Sequence, residues 1–191
     1  MTAPEEQARA DFYALLARLF YAPPEADLLR TIAGAGELGA QDDRIASAWR
    51  TLAQEAAVAD PEAVREEFEG AFIGTGKAPV TLYAGAYSTR YTNEMPLAAL
   101  RGELLALGLA RRVDAAEPED HIAGLCDAMR YLIVEERSLD EQKRFFGRWI
   151  DPIVEPLCAA IDASPHTVFY KNVARLAKGF FSLEHAAFEL L

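Results

Sequence analysis

The sequence predicts an all-α fold, a single domain of about eight to ten helices spanning residues 1–191, and three observations carry that prediction. Apolar residues recur at three- and four-residue spacing along most of the chain, the period of a helix with one buried face. Proline, glycine and capping residues cut these runs into pieces of ordinary helical length. Nothing reads as a strand, and no internal repeat is present. With 191 residues, 51% of them hydrophobic, the chain can bury a substantial core, so disorder does not describe it.

The elements follow in order. Phe12, Leu15, Leu16, Leu19 and Phe20 form one face of a first helix from about Pro4 to Tyr21, which Pro23-Pro24 ends by removing donors and restricting the preceding residue. A short second helix runs from Glu25 to Ile32 and is closed by Gly34-Ala35-Gly36 and Gly39. Asp43 to Val58 is alanine-rich, with Ile45, Trp49, Leu52 and Ala56 on one face. Asp60 then reads as a cap and Pro61 as a first helical residue, opening a helix with Val64, Phe68 and Phe72 inward.

Gly74 to Tyr91 breaks the period. Gly74, Gly76, Pro79 and Gly85 alternate there with Leu82, Tyr83, Tyr87 and Tyr91. A loop rich in large apolar side chains either covers a core or forms a binding surface, and both readings stand.

Asn93 to Leu107 is helical again, with Leu97, Leu100, Leu104 and Leu107 inward and Gly108 as its stop. Val113 to Glu117 links it to Glu117-Pro118-Glu119-Asp120-His121, which precedes an amphipathic helix carrying Ile122, Leu125, Cys126, Met129, Leu132 and Ile133. Pro118 is expected in the first helical turn, and Glu117, Glu119 and Asp120 near the positive end of the helix dipole. Ser138-Leu139-Asp140-Glu141 is a capping box ahead of Phe145, Phe146, Trp149 and Ile150. Pro152 and Pro156 bracket a helical segment running to about Ala163. Ser164-Pro165 then restarts the chain into Val168, Phe169, Val173, Leu176, Phe180 and Leu183.

A formal net charge of -11, from 30 acidic and 19 basic residues, argues against a nucleic-acid partner, whose affinity depends on cations releasing counterions. A basic partner is the natural complement, although such a charge also simply keeps a protein dispersed. Cys126 and Cys158 stand alone in apolar runs and read as buried thiols of a reducing compartment. The acidic start Met1-Thr2-Ala3-Pro4-Glu5-Glu6 is not a signal peptide, and no stretch approaches the roughly 18 to 20 apolar residues of a membrane span, so the expected location is the cytoplasm, without stable membrane insertion.

Catalytic furniture is sparse. Gly74-Thr75-Gly76-Lys77 lacks the spacing of a phosphate loop, and His121, His166 and His185 form no metal motif. Asp120 and His121 are adjacent, so on a helix their side chains point about 100° apart. A histidine in a first helical turn sits in positive potential and is expected to be a neutral hydrogen-bonding group. Asp120 is then the better receiver of a basic group, and beside an aromatic loop it would suit a peptide combining arginine with an apolar segment. The residues predict no catalytic set, no metal and no cofactor. A small all-α hydrolase using His121 and a carboxylate is the alternative from another class, and the chain supplies neither nucleophile nor metal set for it.

Four pieces in order resemble one family. Glu117-Pro118-Glu119-Asp120-His121 is similar to an E-P-x-D-H motif, Leu19-Phe20-Tyr21-Ala22-Pro23-Pro24 to the end of a first helix, Phe72-Ile73-Gly74 to a short F-x-G element, and Phe169-Tyr170-Lys171 through Leu176 to a C-terminal F-Y segment. The family is that of the TorD/DmsD/NarJ-type redox-enzyme maturation chaperones, all-α proteins of the cytoplasm, and the resemblance covers nearly the whole chain. It implies binding of the twin-arginine signal peptide, or the N-terminal segment, of a molybdopterin oxidoreductase subunit until its cofactor is inserted. An assembly factor for a nitrate-reductase-like enzyme that is not exported is the variant reading, and a monomer or homodimer is expected in either case. Carried over, Asp120 and His121 are the binding residues, Pro118 shapes the turn, and Glu117 and Glu119 flank it. The family's aromatic patch corresponds to Tyr83-Ala84-Gly85-Ala86-Tyr87 beside Leu82, with Gly85 where serine is frequent.

Overall fold

Proline, glycine and capping side chains set the helix boundaries in the computed structural model, which describes residues 4–38, 43–74, 78–87, 96–111 and 116–191. Among these residues there are nine α-helices: α1 Pro4–Tyr21, α2 Ala26–Gly34, α3 Asp43–Val58, α4 Pro61–Phe68, α5 Pro96–Ala106, α6 Ile122–Val134, α7 Leu139–Phe145, α8 Asp151–Ala163 and α9 Phe169–Glu189. The all-α expectation holds. Helices α4 and α7 each run on into one wider π-type turn, Glu69–Ile73 and Phe146–Ile150, and Ala84–Ala86 forms a single 3-10 turn. An isolated antiparallel bridge joins Tyr83 to His121, and no strand occurs among the described residues. The expected helix start at Asn93, the Gly74-to-Lys77 loop beyond Gly74, Tyr91, Gly39 and most of the link from Val113 lie outside the described residues.

The chain is organised as two compact units, one of residues 1–20 and 82–153, the other of residues 21–81 and 154–191. In the second, α3 lies along α9 and against α2, and α4 meets α9. The close approach of α3 and α9 uses Gly179, where a Cβ would stand 3.3 Å from Ile45 Cγ1. Phe68 and Phe72 pack edge-on, and Phe72 meets Tyr170 with ring centroids 4.9 Å apart. Glu67 caps α9 from outside that helix. Its carboxylate accepts the Phe169 N–H at 3.0 Å and the Tyr170 N–H at 2.7 Å, two of the donors a helix start leaves without partners. Asp60 caps α4 with Pro61 at its first position, as the sequence predicts.

In the first unit, α6 buries Ile122, Leu125, Cys126, Met129, Leu132 and Ile133 and packs on α7 and its π-turn. That turn contributes Phe146, Trp149 and Ile150, and the Trp149 indole N–H donates to Glu103 on α5 at 2.8 Å. Ser138 and Glu141 form the predicted capping box. Leu100 and Leu104 are buried on α5, while Leu97 and Leu107 are half-buried. Gly108 stops the helix at φ +80°, its N–H donating to Leu105 O and the Leu109 N–H to Leu104 O, the paired bonds of a left-handed C-terminal cap.

Some expectations are corrected. Val168 and Leu183 do not share the burial of Phe169, Val173, Leu176 and Phe180: Val168 stands exposed just ahead of α9, and Leu183 lies on an exposed face of it. Pro156 sits inside α8, where its missing N–H leaves the Pro152 carbonyl without the usual helical donor. Pro118 and Glu117 to Asp120 precede α6 instead of forming its first turn. The His121 N–H donates to Pro118 O, a turn bond, and the bridge to Tyr83 draws His121 into extended geometry, so the helix begins at Ile122.

Candidate functional site

The segment from Leu82 to Tyr87 and the turn from Glu117 to His121 lie side by side in the first unit, stitched by backbone. The Ala84 N–H donates to Asp120 O at 2.8 Å and the Ile122 N–H to Leu82 O at 2.9 Å. Side chains reinforce the pairing. The Tyr83 hydroxyl donates to Glu117 Oε2 at 2.6 Å, and the Gly85 N–H donates to Asp120 Oδ2 at 3.1 Å. Gly85 leaves room for this approach, since a Cβ there would stand 3.0 Å from the same oxygen and the Asp120 side chain would have to give way by a few tenths of an ångström.

His121 is the N-cap of α6. Its Nδ1 accepts the Ala123 N–H at 3.2 Å, and its ring packs edge-on against Tyr83 with centroids 5.3 Å apart. An Nδ1 that accepts is unprotonated, which fits the direction of its pKa: burial pushes it below the ordinary 6.5, against the pull of Glu117 and Asp120. The neutral state is therefore set by burial, not by a place in the first helical turn.

Glu119 is a largely enclosed carboxylate of the turn. Its side chain keeps 12% of its exposure, Arg101 Nε on α5 donates to Oε1 at 2.9 Å, and Oε2 is buried with no hydrogen-bond partner among the described residues. The Arg101 hydrogen bond holds the Glu119 carboxyl below its usual range despite the opposing cost of burial. Tyr83 is pushed up to about 12, chiefly by its bond to Glu117, so the phenol stays a neutral donor. Arg111 reaches the Glu117 carbonyl at 3.4 Å.

The structure thus brings Leu82, Tyr83, Glu117, Pro118, Glu119, Asp120 and His121 together. It does not put all of them on the surface. Leu82 is 4% exposed and His121 5%, so both side chains hold the turn in shape from inside, whereas Tyr83, Tyr87, Glu117, Pro118 and Asp120 are half-exposed. Arg101 was not legible as a member of the site, because it stands on a separate helix and no local pattern ties it to Glu119. Chemically, the site can hold a cation and an adjoining apolar group. Among the described residues no three His, Cys, Asp or Glu side chains are grouped to hold a metal, and no helix is long and apolar enough to cross a membrane.

The site is thus an acidic turn set beside tyrosines on a helical scaffold. The family follows from comparison with known proteins: residues 39–159, which include the whole of the site, match the model of the nitrate reductase delta subunit family. The chain belongs to this family, that of the TorD-type maturation chaperones, and is a chaperone, not an enzyme. It is 28% identical over 199 residues to the chaperone protein TorD of Shewanella loihica, covering 95% of this chain and 93% of that one. It is 35% identical over 81 residues to the chaperone protein TorD of Photobacterium profundum, covering 41% of this chain and 38% of that one.

Proposed function

We propose that the chain acts in the cytoplasm as a chaperone dedicated to one molybdopterin oxidoreductase. It binds the twin-arginine leader, or the N-terminal segment, of the catalytic subunit and holds it until cofactor insertion is complete. The observation that carries this reading is the acidic turn beside Tyr83 and Tyr87, in which Glu117 and Asp120 each spend one carboxylate oxygen within the protein. The other oxygens suit a guanidinium, whose planar donors match carboxylates, and the tyrosine rings suit the apolar residues of a leader. Residues 1–191 serve as one chaperone domain, monomeric or homodimeric, without nucleic acid or stable membrane insertion.

Calorimetric titration with a synthetic twin-arginine leader from a molybdopterin oxidoreductase tests the reading. Binding is expected to weaken with salt, since screening shortens to about 10 Å near 0.1 M. Asp120→Asn is expected to cost roughly 1 kcal/mol or more of affinity, the scale of a hydrogen bond to a charged group. Affinity indifferent to both would overturn the electrostatic half of the proposal. The description of the matching family favours a second reading, an assembly factor for a nitrate-reductase-like enzyme that is not exported. An N-terminal segment without paired arginines would then bind as tightly as the leader.

A further inference from the structure

The turn already contains an arginine. Arg101 projects from α5 onto Glu119, 18 positions later in sequence, and is itself about half exposed, with 53% of its side chain open to solvent. The contact is a single Nε–Oε1 hydrogen bond, not the two-armed fork that a guanidinium makes with a carboxylate at its strongest. Glu119, in contrast, is mostly enclosed, and its second oxygen makes no hydrogen bond among the described residues. A carboxylate enclosed in this way has one hydrogen-bonded cation, with Arg111 adding its charge, and that hydrogen-bonded arginine is held by one arm from the solvent side. Asp120 acts on the same guanidinium through its charge.

We propose that Arg101 is a resident placeholder for the arginine of the bound peptide: an incoming guanidinium displaces it from Glu119, so that occupancy requires a competitor able to take over that carboxylate. The inference rests on the leader-binding reading and adds to it a competition built into the free protein. Two consequences follow from the chemistry. Discrimination between arginine and lysine arises at Glu119, because the displaced group is itself a guanidinium and an ammonium offers no planar fork in exchange. The empty chaperone also does not expose a bare, desolvated carboxylate.

The test is a double-mutant cycle with Arg101→Gln, Glu119→Gln and the two combined, titrated with a twin-arginine leader peptide and with the same peptide carrying two lysines. Arg101 stands on an exposed helix face, so Arg101→Gln is expected to fold, with a lower midpoint in the absence of peptide. It is expected to bind the arginine peptide about three- to fivefold more tightly than the parent, the scale of one partly exposed ion pair. In the Glu119→Gln background the same change is expected to have no such effect. The Arg101 Nε–H resonance of the parent protein should also lose its hydrogen-bonded shift as peptide is added. An equal gain in both backgrounds would mean that Arg101 merely repels cations at a distance, and would overturn the displacement. Peptide binding that Arg101→Gln leaves unchanged would overturn Arg101's role alone, with leader recognition intact. No binding to either protein would overturn the leader reading, and the placeholder with it.

Discussion

His121 has two properties that pull its titration in a defined direction. Its Nδ1 accepts a backbone N–H of α6, and its ring is buried against Tyr83. Both favour the neutral form, and burial lowers the folded pKa below 6.5. The sign follows from proton counting. As pH falls, the unfolded chain takes up its proton before the folded one, so stability from this group is complete above about pH 7 and declines as pH drops through 6.5 toward the folded value. Glu119 contributes in a separate, more acid window, because Arg101 lowers its folded pKa below 4.5 and its stabilisation, complete above about 4.5, is lost as pH falls from there through that lower value. Asparagine is among the preferred N-cap residues, so His121→Asn keeps a cap and removes the titration. The expected outcome is a melting temperature somewhat below that of the parent at pH 7, because the ring packed on Tyr83 is lost, and a flatter decline toward about pH 5.5. His121→Ala, which removes cap and ring together, should lose about 1 to 2 kcal/mol at neutral pH. An unchanged pH slope in His121→Asn would show that other groups carry it.

At the scale of elements, α6 ends less comfortably than α5. Both close with the same pair of bonds: at α6 the Glu136 N–H donates to Ile133 O and the Arg137 N–H to Leu132 O. In α5 the left-handed position is Gly108, whereas in α6 it is Glu136, at φ 51°. A left-handed side-chain residue costs roughly 1 kcal/mol, so Glu136→Gly is expected to raise the midpoint of chemical denaturation by an amount worth about 0.5 to 1 kcal/mol. A loss instead would mean that the Glu136 side chain contributes more than its backbone costs. This end of α6 was not legible in sequence, because glutamate carries no left-handed signal. Where caps are local they were legible: Ser138 with Glu141, and Asp60 with Pro61, stand within three residues of the bonds they make. Glu67 on Phe169 and Tyr170, and Arg101 on Glu119, are made across the fold, and no periodicity announces them. The acidic turn was legible as a motif but not in its geometry. The bridge to Leu82–Ala84 that pulls His121 out of the helix depends on a segment more than 30 residues away.

For the whole molecule the open quantity is cooperativity, and chain topology speaks to it directly. Each compact unit takes residues from two separated stretches of sequence, so neither is a continuous piece that could be released by one cut. The chain passes from one to the other at residues 20/21, 81/82 and 153/154; the first of these falls at the end of α1, and the last lies inside α8. Unfolding either unit would therefore interrupt α8, and helix formation is itself cooperative. A single all-or-none transition is expected, as for most domains of under about 150 residues and here somewhat beyond that size. The two tryptophans make this testable, since Trp149 is buried in the first unit and Trp49 in the second. Trp49→Phe leaves a fluorophore only in the first unit, and Trp149→Phe only in the second. Each replacement gives up an indole hydrogen bond, Trp149 to Glu103 at 2.8 Å and Trp49 to Gly36 O at 3.0 Å, so each protein is compared with its own far-ultraviolet circular dichroism and not with the other. Coincident midpoints by fluorescence and dichroism in both variants are the expected result. A fluorescence transition displaced from the dichroism transition in either variant would establish two independently melting units and overturn the single-domain assignment.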